Sequence, residues 1–274
     1  MLEPKALIRE HIASGASTPL DSPYPGVAFR EFVSSACGAV AFSTGTATFE
    51  TGAKLPYHTH EYSEAVTILA GDARVFVEGR MYRLGPLDCI HIPAAAAHSL
   101  VNPSSTAELI ALWAFANASP SRQLVPDVFP AIDRTTGDPC VEDPEYIVRH
   151  AIAEKYELSD GALFCDLFSA RYGARGICGG CGVFTPGSSL PCHVHRYDES
   201  ITIISGEAIC KVAGRNYRLS GCDTAFVPEG QPHRFLNQSS EVMTMVWVYA
   251  GDEPERTIID ARYCDGVLPW TPTS

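Results

Sequence analysis

Gly52-x5-His58-Thr-His60-x3-Glu64-x6-Gly71 is followed, further along the same chain, by Gly187-x5-His193-Val-His195-x3-Glu199-x6-Gly206. In a β-strand, residues two apart point to the same face, so each His-x-His pair aims two imidazoles at one point. A second block trails each copy: Pro93-x4-His98-x3-Asn102 and Pro228-x4-His233-x3-Asn237. His58 and His193 stand 135 residues apart, and so do Glu64 and Glu199, His98 and His233, and Asn102 and Asn237. The repeat is therefore gapless across its core, and it divides the 274 residues into two units of ordinary domain size.

Working outward, the copies also match at Gly26/Gly161, Phe29/Phe164, Gly38/Gly173, Gly45/Gly180 and Phe49/Phe184. Between these positions lie short alternating apolar segments punctuated by Gly, Pro, Asp and Ser, which read as many short strands. Gly79-Arg-Met-Tyr-Arg-Leu84 and Gly214-Arg-Asn-Tyr-Arg-Leu219 each follow an apolar run and read as a hairpin turn with its returning strand. That route brings the later histidine back to the first three ligands. The matched Arg80/Arg215 and Arg83/Arg218 are hairpin surface charges, with anion binding as the alternative. Past Asn102 one residue is deleted, and Trp113/Trp247, Pro120/Pro254 and Arg122/Arg256 match at 134.

Ahead of each barrel, Pro4 to Ile12 and Pro144 to Ile152 have apolar residues on one side and are predicted to be short helices. Their spacing implies about five extra residues before the first barrel, within Ala13 to Ser22. The expected organisation is a first unit over 1–117, a Pro- and Asp-rich linker over 118–143, and a second unit with a C-terminal tail over 144–274.

With 46% hydrophobic and 19% charged residues the composition suits two packed cores. A net charge of −12, with no Lys/Arg cluster, removes the electrostatic footprint that nucleic acid or an anionic lipid surface requires. A small molecule is the expected partner. No apolar run reaches transmembrane length and the N-terminus lacks a signal-peptide core, so the expectation is a cytoplasmic protein. Eight of the ten cysteines lie between Cys140 and Cys264, and all ten are read as free thiols. Cys178-Gly-Gly-Cys181 has no second thiol pair to complete a zinc site, and the first copy has Ser43-Thr-Gly-Thr46 there.

Each unit thus offers three imidazoles and one carboxylate: His58, His60, Glu64 and His98, then His193, His195, Glu199 and His233. Six of the nine histidines belong to the two sets, and all six fall on one offset. Imidazole plus one carboxylate suits a divalent transition metal, one per unit, iron or manganese first and nickel, cobalt or zinc as the other candidates. Iron and manganese take six ligands, which leaves two positions open to substrate or dioxygen. The alternative is a closed structural zinc site.

These blocks resemble the two motifs of the cupin superfamily, and their duplication resembles a bicupin of the quercetinase-like, conserved-barrel type. The resemblance covers both halves and implies an all-β fold of two tandem jelly-roll barrels with short flanking helices, the two quartets being the metal ligands. It implies a non-haem dioxygenase of a small enolic or diketone-like metabolite, with Glu64 or Glu199 shifting between ligand and proton acceptor. A metal-dependent isomerase or decarboxylase of a sugar or keto acid is the second reading, and a non-catalytic ligand-binding bicupin the third. The first unit departs in reading Pro93-Ala-Ala-Ala-Ala-His98 where the second has Pro228-Glu-Gly-Gln-Pro-His233, so its turn lacks the glycine and its pocket is expected to be more apolar. Closeness in sequence makes Tyr197, Gln231 and Arg234 the substrate-binding candidates, Arg234 as the cation for a substrate carboxylate. Tyr62 and His91 are read as packing residues. The expected assembly is a homodimer.

Overall fold

The computed structural model describes residues 9–270 and is built almost wholly of antiparallel strands. In the first unit a sheet ordered Cys89–Ile92, Glu64–Ala70, Leu109–Phe115, Ser43–Phe49, Val27–Val33 and Asp21–Tyr24 faces a second one. The facing sheet runs Lys54–Thr59, His98–Val101, Ala73–Val77 and Arg80–Leu84. The second unit repeats the plan. One sheet holds Thr224–Val227, Glu199–Ser205, Met243–Tyr249, Cys178–Phe184, Ala162–Phe168 and Tyr156–Ser159; the other holds Arg215–Ser220, Glu207–Val212, His233–Leu236 and His193–Val194.

Alternation does the folding locally. Ala73, Val75 and Val77 point into the first barrel, where they meet Tyr82 and Leu84 of the returning strand. Between them, Glu78 and Gly79 both take positive φ, 48° and 88°, the two-residue turn whose twist suits a hairpin. Ala213 and Gly214 do the same in the second unit. Gly45 and Gly180 have a different purpose: a Cβ there would collide with the Trp113 and Trp247 rings, so the glycines make room for the matched tryptophans.

Three apolar cores result. One fills each barrel, and a third lies between them, where Phe32, Phe42 and Leu112 of the first unit meet Leu167, Phe168, Phe226 and Val248 of the second. Cys178 points into the second barrel and Cys181 into the core between barrels, opposite Cys165. Three residues apart on a strand, the two thiols of the Cys-x-x-Cys face opposite ways and do not form a redox pair.

The segments ahead of the barrels correct the helical expectation. His11–Ala13 and Tyr146–Val148 are strands, and the only α-helix among the described residues is Ala261–Cys264. Pro4 to Ile8 lie outside the described residues. So short a stretch cannot sustain helix nucleation unaided, and Ile12, Ile147 and Val148 lie in strands at sheet edges instead. Each edge belongs to the other unit. His11–Ala13 joins Thr224–Phe226 of the second barrel, and Tyr146–Val148 joins Cys89–His91 of the first. The arms match at 135, like the barrels, so there is no insertion ahead of the first unit.

A buried carboxylate fixes each arm. Glu145, 2% exposed, receives Arg80 through both oxygens at 2.7 and 2.8 Å and the Tyr82 hydroxyl at 2.7 Å. Arg215 and Tyr217 hold Glu10 in the same way. The anion that Arg80 and Arg215 bind is thus internal. Glu145→Ala, which removes the two short contacts of the Arg80 guanidinium and leaves only the longer ones to Glu78 and Asp143 at 3.4 and 3.5 Å, is expected to cost about 2 kcal/mol, read as a lower urea midpoint.

The stretch after the first barrel stays on that barrel: Gln123–Leu124 pairs with His58 and Thr59, and Ile132–Asp133 runs parallel to Arg80–Met81. No helix among the described residues is long and apolar enough to cross a membrane. The free-thiol expectation also needs one correction, because Cys192 and Cys264 are joined in a disulfide.

Candidate metal centres

His58 and His98 are cross-strand partners in the first barrel, as His193 and His233 are in the second, so both project from the same rung of the ladder. His60 lies just beyond its strand, two residues from His58 and on the same side, and Glu64 opens the next strand. The result is two quartets, each with four ligand atoms within 4.8 Å of one another and every member buried.

Each imidazole is oriented by a backbone carbonyl. His58, His60 and His98 donate from Nδ1 to Pro56, Ser121 and Ala96 oxygens at 2.8, 2.6 and 2.9 Å. His193, His195 and His233 do so to Pro191, Glu255 and Gln231 at 2.8, 2.5 and 2.9 Å. A carbonyl only accepts, so Nδ1 carries the proton and Nε2 keeps its lone pair. In the first barrel all three Nε2 atoms and Glu64 Oε2 are buried without a hydrogen-bond partner. Orphaned donor atoms converging on one point, with neutral imidazoles fixed from behind, fit a divalent metal and little else.

The electrostatics agree. Burial, with His98 beside it, pushes His58 down to about 2, keeping the ring neutral. Burial alone would raise Glu64, but His98 and His60, at 2.7 and 3.3 Å from its Oε2, hold the carboxyl well below its usual range when they carry a second proton at Nε2, the place a metal's positive charge would take. Glu199 is lowered against the same burial by His195 and His233, and burial with His233 lowers His193.

The loops adapt differently to one geometry. Gly230, before His233, takes φ 73°, and Ala95 in the first barrel takes φ 67°, so the missing glycine leaves the turn unchanged. Ala95 and Gly230 donate to the carbonyls of His60 and His195 at 2.7 and 2.9 Å, which ties each turn to a ligand.

The three substrate-binding candidates are not gathered around the second quartet. Tyr197 stacks on His195 at 5.9 Å, and its hydroxyl donates to Glu253 O while accepting from Glu255 N, so it steadies a ligand; Tyr62 does the same for His60. Gln231 lines a separate cavity beside Trp270. Arg234 follows His233 on a strand, faces the other way, and pairs with Asp265 at 2.7 Å. His91 is buried against Ser63 at 3.3 Å, with its pKa brought down to about 4 by burial and Arg175.

What the sequence reading passed over is the mouth of the first barrel. An inner chamber with room for about 20 Å³ touches His58, Glu64 and His98 and is otherwise walled largely by aliphatic and aromatic side chains. Arg122 and Trp113 line both it and an outer cavity of about 470 Å³. The only sign in the sequence was their recurrence as Arg256 and Trp247.

The family model of the cupin domain matches residues 45–115 and again 182–249. No curated protein sequence matches the chain. Among solved structures, an oxalate decarboxylase from Lactobacillus farciminis in complex with formate aligns at 16% identity with a TM-score of 0.73, over 90% of this chain and 88% of that one. Bacillus subtilis oxalate decarboxylase, described with Mn(II) centres, aligns at 19% identity and 0.72, over 90% and 79%. At that identity the likeness carries the fold.

Proposed function

The chain belongs to the cupin family, with two cupin domains in tandem, and from that premise we propose that it is a metal-dependent enzyme, a non-haem dioxygenase of a small enolic or diketone-like metabolite. The inner chamber of the first barrel carries this reading. A space of about 20 Å³ before any metal enters leaves no room for a second organic molecule beside the quartet, which supports a small co-substrate such as dioxygen. The 470 Å³ outer cavity leaves room for the organic substrate.

A bound iron or manganese would supply Lewis acidity and a redox couple at His58, His60, Glu64 and His98. Leu55, Val66, Ile92 and Leu100 of the chamber wall exclude bulk water. Glu64 is the only carboxylate on that wall, and the role proposed for it is to accept the enol proton at a carboxylate oxygen. Glu199 is its counterpart in the second barrel. There Met245 stands in place of Ala111, with its tip against Gly182, and Phe235 in place of Leu100. That filling favours the first barrel as the site of turnover.

A second reading, decarboxylation of a small keto acid, is favoured by the cation Arg122 on the chamber wall and by the activity named for the structural neighbours. Oxygen uptake and carbon dioxide release, measured together on metal-loaded protein with 2,4-pentanedione and with oxaloacetate, separate the two. Oxygen consumed with the diketone is the expected result. Carbon dioxide from oxaloacetate beyond the protein-free rate, without oxygen uptake, would transfer the assignment to the decarboxylase.

A further inference from the structure

Arg122 is held over the barrel mouth by contacts that also position a metal ligand. Ser121 O accepts from both His60 Nδ1 and the Tyr62 hydroxyl, and Ser121 N donates back to that hydroxyl. On the other side, Gln123 and Leu124 pair with Thr59 and His58. The Arg122 backbone is thus clamped along the ligand strand. Its guanidinium lies 4.3 Å over the Phe29 ring and 6.0 Å from Phe115.

Two donors there have no acceptor. Arg122 Nε and Trp113 Nε1 are both buried without a hydrogen-bond partner, and both residues line the wall between the outer cavity and the metal chamber. A buried N–H without an acceptor is costly, and an incoming oxygen would recover that cost. The rest of the outer cavity narrows the choice of that oxygen. Asp21 and Glu31 sit exposed at the rim, so one cation faces two carboxylates, while Pro19, Leu20 and Pro120 supply apolar surface. At that rim, away from the quartet, the second charge of a dianion would meet repulsion. A single carboxylate reaching Arg122 directly would not.

We propose that Arg122 and Trp113 form a recognition wall for the carboxylate of a small monoanionic oxo- or enol-acid, held with its opposite end towards the first quartet. The inference rests on that quartet being the reaction centre. The second barrel keeps the matched arginine but not the space: Arg256 lies 5.8 Å over Phe164, and Met245 occupies the position of Ala111.

Titration calorimetry with pyruvate on the full-length protein tests it, with metal per chain measured on the same samples. Loss of one charge-assisted contact predicts about tenfold weaker binding for Arg122→Gln, part of it restored in Arg122→Lys. Arg256→Gln is expected to stay within about twofold, and on chelator-treated protein, where oxalate has no metal to chelate, oxalate is expected to bind more weakly than pyruvate. Unchanged affinity in Arg122→Gln, an equal loss in Arg256→Gln, no pyruvate binding by the wild type, or oxalate preferred to pyruvate by chelator-treated protein would each overturn the proposal. Metal retained beside Arg122-independent binding would sink the recognition wall alone. Arg122-dependent binding by protein that takes up no metal would sink the metalloenzyme reading and leave the wall standing.

Discussion

Alanine at His58 is expected to lower bound divalent metal from about two per chain to about one, and alanine at both His58 and His193 to abolish it, because each quartet is complete within its own barrel. Removing a residue that merely supports a metal ligand already costs 10–100-fold in affinity, and removing a ligand costs more. The pH dependence follows from burial. An exposed imidazole protonates near 6.5, whereas His58 is pushed down to about 2 and therefore presents a free lone pair far into acid. As far as His58 decides it, metal loading should accordingly stay level as pH falls through about 6.5. Stability of the metal-free protein should not. The unfolded chain takes up a proton at His58 near pH 6.5 that the folded one refuses, so acidification below that value favours unfolding. His91, down at about 4, adds to the same trend until pH nears 4. Plasma mass spectrometry on protein dialysed at a series of pH values checks the loading, and urea midpoints of chelator-treated protein check the stability. Full metal content in the double mutant would refute the assignment of the quartets.

The quartets were legible because a metal leaves no freedom in where its donors stand, so the spacing survives as a pattern along the chain. Hairpins were legible for a related reason, since Glu78-Gly79 and Ala213-Gly214 answer a backbone demand that is local. The exchanged arms were not. Nothing near Glu10 or Glu145 announces that its partner is Arg215 or Arg80, more than sixty residues away and in the other unit's barrel. Arg234 was misjudged by nearness in sequence, although strand alternation alone places a residue next to His233 on the opposite face. Arg122 shows the converse. It lies 62 residues beyond His60, yet the carbonyl one residue before it orients that imidazole.

Serine in place of Cys264 is expected to cost about 4 kcal/mol, since the Cys192–Cys264 bond closes 72 residues and chain entropy scales with the logarithm of that loop. The position explains why a covalent tie is useful there. In the first barrel the ligand strand Lys54–Thr59 is six residues long, and Tyr57, at the place of Cys192, holds its flank by packing 5.1 Å from Phe129 and accepting from Gly79 N. In the second the ligand strand is only His193–Val194, paired with the tail strand Thr257–Ile258. A two-residue strand gives little hold by hydrogen bonding alone, and the disulfide fastens the residue beside ligand His193 to the tail. Reduction by dithiothreitol should therefore reproduce the Cys264→Ser loss, on the order of 10 °C in the unfolding midpoint, and add nothing in the mutant. It should also speed metal release from the second centre, isolated in a His58→Ala background, more than from the first, isolated in His193→Ala. Equal release rates would mean that the tail strand holds His193 unaided. A midpoint unmoved by Cys264→Ser would mean that this tie adds no stability to the second barrel.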